Sequence, residues 1–216
     1  MYLPMWFDES IVLTEQMESY LLGRGAKQET IDSLKLGEWC PTEEALQKLP
    51  QTRALEGWLV CPLRLPTGKI AGCDFRNIHQ KDVRKVYFSP AAEYSSLWIM
   101  HPDGFEHLWD GQEVYLVEGM FDLFAMEWIL PKNTVGMACG RAGLSQTQLE
   151  ALRRIKPSRT HLVFDMDQAG RKGSSVMQYK LRTLGLDVVE HSYLGKDPGE
   201  VWKQSGLEGL QRILGY

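Results

Sequence analysis

Five acids stand where apolar runs give out. Glu118 follows "VYLV", and Asp165 and Asp167 follow "HLVF", one residue apart from each other. Asp197 sits in "GKDPGE", beyond the last β-type run, and Asp122 lies four residues past Glu118. One helical turn would bring Asp122 back to the same mouth. A single acid at such a place is equally well explained as a helix N-terminal residue favoured by the helix dipole. Four or five at one edge repel each other unless a cation sits among them. Hard oxygen donors of this kind suit Mg²⁺ or Mn²⁺ rather than zinc.

A second charge feature has the opposite sign. Between residues 51 and 90, Arg53, Arg64, Lys69, Arg76, Lys81, Arg84 and Lys85 face only Glu56, Asp74 and Asp82, a local charge of +4 in a chain whose net charge is −4. The overall balance argues against a nonspecific nucleic-acid coat. A basic half beside an acidic half suits a protein that grips phosphates and also holds metal ions. The plainer alternative is a solvated positive hairpin.

These groups need elements to position them. The chain has 216 residues, 44% of them hydrophobic, enough for one large domain or two small ones and against disorder. From Ile11 to Gly37 the pattern predicts two short helices, broken at Gly23 and Gly25 and stopped at Gly37. Residues 38–56, with a helix-like "TEEALQKL", read as a connector. "GWLVCPLRLPTGKIAGCDFRNI" reads as a hairpin about Pro66-Thr67-Gly68, and "KVYFSP" and "SLWIM" as further strands. After Asp110 strands alternate with helices. "EVYLVEG", "NTVGMAC", "THLVFDMD" and "LDVVEHSYL" are the strands, with helices between, one capped by Ser145, and short helices at the end. Alternation predicts a mostly parallel sheet flanked by helices, in which ligands bind beyond the carboxyl ends of the strands. The expected organisation is an α/β chain with a smaller mixed α+β basic lobe over residues 1–110 and a metal-binding domain over 111–216.

At these residues a family resemblance becomes specific. "VEGMFD" with "FDMDQAG" resembles the TOPRIM domain of primases, topoisomerases and some nucleases. "YLLGRGAKQETIDSLKLG", "CPLRLPTGKIAGCDFR", "KVYFSP" and "GKDPGE" are similar, in order, to segments of the polymerase core of bacterial DnaG-type primases, over roughly residues 18–204. "DMDQAGRKG" also resembles phage primase–helicases. The resemblance implies a DNA primase, making short RNA from ribonucleoside triphosphates on a single-stranded DNA template with Mg²⁺ or Mn²⁺. It makes Glu118, Asp165 and Asp167 catalytic. Asp197 joins them as a metal ligand, with Asp122 as a supporting acid. Arg24, Arg64, Arg76 and Lys85 become the contacts to nucleotide or nucleic acid. It further implies a cytoplasmic setting and a separate zinc-binding or helicase protein as partner.

The sequence departs from that pattern where Gly199 replaces a second Asp, where Cys61 replaces an aromatic, and where "CDFR" replaces "FGGR". There is no C-x-x-C pair among Cys40, Cys61, Cys73 and Cys139, no Walker A motif, no secretory signal and no membrane-length apolar run. No zinc-binding or helicase module is expected within the chain. Two other classes use the same acids: a TOPRIM nuclease activating water, and a noncatalytic nucleic-acid-binding module. Trp39, Trp58, Trp98, Trp109, Trp128 and Trp202 fit the core better than base stacking. His79, His101, His107, His161 and His191 lack ligand spacing, and Cys139 lacks a His partner in its sequence context. Gly140 and Gly143 fit a tight turn near the site.

Overall fold

In a computed structural model of the chain, residues 5–67, 69–80, 85–88, 98–99, 111–140 and 143–215 are described. Lys81, Asp82, Arg84, His101, His107 and Trp109 lie outside them, as does most of "SLWIM".

The first half builds an antiparallel sheet. Its strands are β1 (Ile11–Val12), β2 (Gly37–Trp39), β3 (Leu59–Arg64), β4 (Ile70–Arg76) and β5 (Val86–Phe88), in spatial order β1-β2-β3-β4-β5. Around them run α1 (Met5–Asp8), α2 (Glu15–Gly23), α3 (Gln28–Leu34), α4 (Glu43–Lys48) and a 3₁₀ turn over Pro50–Leu55. Two expectations are corrected here. Ile11–Val12 does not open a helix but pairs with Trp39 and Glu38. The helix begins after Thr14, whose hydroxyl accepts the Met17 N–H at 3.2 Å. The expected connector supplies β2, and α3 stops at Lys35 in the left-handed region (φ 55°), so Gly37 is free to enter that strand. Pairing across the sheet outweighs local helix pattern at both places.

The second half is the α/β unit that the alternation predicts. Strands β6 (Glu113–Val117), β7 (Thr134–Ala138), β8 (Thr160–Leu162) and β9 (Val188–Glu190) are all parallel, in order β7-β6-β8-β9. Between and after them come α5 (Met120–Met126), α6 (Gln146–Ile155), α7 (Gln168–Thr183) and α8 (Pro198–Leu214). Ser145 and Gln148 close a reciprocal cap on α6, at 3.0 Å each way. The short helices expected at the end are two helical stretches within α8 that meet at Gly206 (φ 57°, ψ −147°), a conformation that only glycine adopts without strain. None of the described helices is long and apolar enough to cross a membrane.

One hydrophobic core runs under both sheets. Met17, Leu21, Leu59 and Leu63 from the first half pack in the same cluster as Val117, Phe121, Leu123 and Phe124 from the second. All seven residues of α5 are buried. The far end of the parallel sheet is tied to α8 through side chains. His161 bonds Glu113 Oε2 at 3.2 Å and His191 at 2.8 Å, and His191 bonds the Ile213 carbonyl at 3.2 Å. Burial lowers the pKa of both imidazoles.

A half-buried acid sits at the seam between α3 and α5. Glu127 Oε2 accepts the Thr30 hydroxyl at 2.6 Å, while Oε1 is buried with no hydrogen-bond partner among the described residues. Burial pushes its pKa up to about 7. The unfolded chain releases this proton near the ordinary Glu range of about 4.3. Between those values the native state holds the proton more tightly, so stability falls as pH rises from about 4 to 7. Glu127→Gln keeps the shape and removes the charge. It is expected to raise Tm at pH 8, by about 2–4 °C for each kcal/mol recovered, with the gain vanishing near pH 4. Thermal scans across that range check it.

Candidate metal and phosphate site

The strand order fixes where the acids meet. After β6 the chain steps outward to β7, then crosses back to place β8 on the other side of β6. The order therefore reverses between β6 and β8, and a crevice opens there at the carboxyl ends of open α/β sheets. Glu118 follows β6 directly, and Asp165 lies three residues past β8. The two meet: the Asp165 N–H donates to Glu118 Oε1 at 3.2 Å. Helix α7 starts so close to this backbone that a Cβ on Gly170 would overlap the Asp165 carbonyl oxygen and sit 2.7 Å from its carbon. The glycine in "DMDQAG" is there for that close approach.

The other acids are held more tightly than sequence spacing suggests. Asp122 is buried, and both its oxygens are occupied by main-chain donors. Oδ2 accepts the Gly119 N–H at 3.0 Å, and Oδ1 accepts the Gly199 N–H at 3.2 Å. It pins the start of α8 against the start of α5. Asp197 caps α8, its Oδ1 accepting the Glu200 N–H at 2.7 Å, with Lys196 Nζ 3.7 Å from Oδ2. Asp167 is exposed and caps α7 through the Gly170 N–H at 2.8 Å. A Cβ at Gly199 would point at Asp122 Oδ1 (3.3 Å) and Asp197 Oδ1 (3.4 Å), so a carboxylate there would have to enter this same cluster.

The cleft has a volume of about 390 Å³. The second half of the chain contributes Glu118, Asp122, Asp165 and Asp197 to its lining. The first half contributes Arg24, Arg76 and Lys85, and Lys196 lies near the acids. The ring of Phe121 carries the Arg24 guanidinium 3.9 Å from its centroid and that of Arg76 at 5.4 Å. Asp167 and Arg64 are not among the lining residues. The main chain of Arg64 pairs with that of Trp98, with N···O distances of 2.7 and 2.8 Å. Spacing does not single out Phe121 or Lys196, although they lie inside "VEGMFD" and "GKDPGE". What brings them to the site is side-chain direction, which spacing does not carry. A larger hollow of about 530 Å³ lies between Leu65–Thr67 and α6. Its charged lining, Glu150 and Arg154, is already an ion pair at 3.3 Å.

The electrostatics are those of crowded carboxylates drawn partly out of water. Burial, then Asp197 and Asp165, push Asp122 up to about 7. Burial, then Glu118 and Asp197, push Asp165 up to about 7. Glu118 rises for the same reasons, burial first. Burial, then Arg76, lowers Lys85. Among the described residues no three His, Cys, Asp or Glu side chains form a ready-made metal cage. The donor set nevertheless suits Mg²⁺, which keeps most of its waters and takes one or two carboxylates plus substrate phosphates. Glu118 Oε2 and the Asp165 carboxylate have no hydrogen bond among the described residues, which leaves them for a cation.

Residues 115–202 match the family model described as Toprim-like. A DNA primase of Borreliella burgdorferi is 24% identical over 221 residues, covering 99% of this chain and 38% of that relative. Among solved structures, the zinc-binding and RNA polymerase domains of the Aquifex aeolicus primase superpose with a TM-score of 0.74 at 24% identity, over 95% of this chain and 57% of that one. The RNA polymerase domain of Mycobacterium tuberculosis primase DnaG gives a TM-score of 0.71 at 18% identity, over 96% and 78%. The chain thus spans well under half the length of the curated relative it matches.

Proposed function

We propose that this chain, with a Toprim-like domain set in the fold of a primase catalytic core, is the RNA-synthesising core of a DNA primase. The observation that carries the reading is one cleft lined both by acids of the second half and by bases of the first. Arg24, Arg76 and Lys85 would hold the triphosphate of an incoming ribonucleotide and the backbone of a single-stranded DNA template. The Phe121 ring lies beside both guanidiniums in the cleft lining and would help to hold them there. Glu118 and Asp165 would hold the divalent ion, Mg²⁺ or Mn²⁺, with Asp197 turned to the same space. When bound, that ion supplies neutralisation of the leaving pyrophosphate and a lowered pKa at the attacking hydroxyl. Asp122 acts by position: it fixes α8, and with it Asp197, against the strand end that carries Glu118. A cytoplasmic replication setting, with a separate zinc-binding or helicase protein as partner, goes with this reading.

The test is incubation of the chain with single-stranded DNA, labelled ribonucleotides and Mg²⁺, followed by a sequencing gel. Short RNA products are expected. Cleavage of the DNA without ribonucleotide incorporation would make it a Toprim nuclease, and binding with neither would make it a noncatalytic module.

A further inference from the structure

A buried acid stands behind the bases that line the cleft. Asp74, on β4, is fully buried. It lies on the sheet face that looks into the shared core, opposite Cys61 on β3 and Tyr87 on β5. Its Oδ2 accepts two hydrogen bonds from one guanidinium, Arg76 Nε at 3.0 Å and Nη2 at 2.9 Å. Its Oδ1 is buried with no hydrogen-bond partner among the described residues. This is an expensive way to fill a core position. A buried ion pair recovers its desolvation cost only when every lone pair is satisfied, and apolar residues of like volume usually serve stability as well or better. What the pair does supply is direction. Arginine has five N–H donors. Asp74 takes two and the Phe121 ring lies 5.4 Å from the guanidinium carbon, which leaves three donors for a ligand in the cleft that Arg76 lines.

We propose that Asp74 is a positioning residue that locks the Arg76 guanidinium in the orientation that receives the triphosphate. The inference rests on the primase reading of the cleft. It makes a prediction opposite in sign to simple electrostatics. Asp74→Asn leaves the cleft one unit more positive, so a charge-counting account expects tighter phosphate binding. The positioning account expects weaker binding, because the guanidinium loses its charged anchor.

The probe is inorganic triphosphate with Mg²⁺, titrated calorimetrically into the full chain. Asp74→Asn is expected to bind about tenfold more weakly, the scale of one charge-assisted hydrogen bond. Arg76→Ala should bind more weakly too, and the double variant no more weakly than Arg76→Ala alone. Equal or tighter binding by Asp74→Asn would overturn the proposal. So would a further tenfold loss in the Arg76→Ala background, because that pattern marks general damage to the fold. Should Asp74→Asn not fold, Arg76→Lys carries the test: it keeps the cation but cannot place two donors on one oxygen, and wild-type affinity there would overturn the proposal. Wild-type protein that binds no triphosphate would remove the primase reading of the cleft together with this inference. Binding that is indifferent to Asp74 would remove this inference alone.

Discussion

Glu118→Gln is expected to cut primer synthesis by at least about a hundred-fold while leaving a folded protein that still binds single-stranded DNA. The glutamine can keep the 3.2 Å bond from the Asp165 N–H, so the local backbone has no reason to move. What is lost is charge at the one place where a strand end, a neighbouring carboxylate and the bases of the cleft converge. The same change should show without any activity assay. In the absence of divalent ions Asp165 holds its proton up to about pH 7, whereas an unfolded Asp loses it near 3.9. The native state therefore binds more protons across that window, and stability falls as pH climbs from about 4 to 7. Removing the Glu118 charge lowers the Asp165 pKa and shallows that fall. Thermal scans of metal-free protein at pH 5 and pH 8 should show a smaller difference for Glu118→Gln than for wild type, and Mg²⁺ should raise the wild-type Tm more than the variant's. A variant with near-normal synthesis would show that the cation is held elsewhere.

Gly170→Ala is expected to be among the most damaging small substitutions in the chain. By helix propensity alone, alanine for glycine within α7 should gain up to about 1 kcal/mol. The position reverses the sign, because the added methyl would land on the main chain of Asp165 rather than on a yielding side chain. Overpacking of this kind typically costs about 1–3 kcal/mol, and here the relief available is a shift of the segment carrying Asp165. Both stability and triphosphate binding should fall. Gly23→Ala is the matched control. That glycine ends α2, and a Cβ there meets nothing within 4 Å. It should be neutral or stabilising by about 0.5–1 kcal/mol. Parallel denaturant melts and triphosphate titrations distinguish the two; a Gly170→Ala protein as stable as the Gly23→Ala one would mean that α7 does not press on Asp165.

Much of the fold and of the acid cluster is legible in the amino-acid sequence. The alternation after Asp110 carries the parallel sheet, because buried strands and amphipathic helices leave different periods. The positions of Glu118, Asp165 and Asp197 follow from where the apolar runs stop. Other features lie outside what such patterns hold. Two residues are too few for β1 to show a period, and only its partner strand makes it one. Asp122 looks from spacing like one more acid at a mouth, but its role comes from Gly199, 77 residues away. Asp167 and Asp197 double as helix caps, the plainer reading of an acid at a strand end, so spacing cannot separate the two roles. Asp74 shows in the sequence only as a departure from a motif. Its meaning depends on which face of β4 turns inward, and the sheet decides that.

Helix α5 has a consequence for how this chain can be cut or grafted. With every residue from Met120 to Met126 covered, it has no solvent face of its own, and part of its cover comes from the first sheet and α2. A fragment starting near residue 111 would keep the site acids yet bare the side of α5 where Tyr20 now meets Phe121 and the chain at Gly25 lies close to Ala125. Such a piece is a poor candidate for transplantation into another protein unless the host brings an apolar lid of its own.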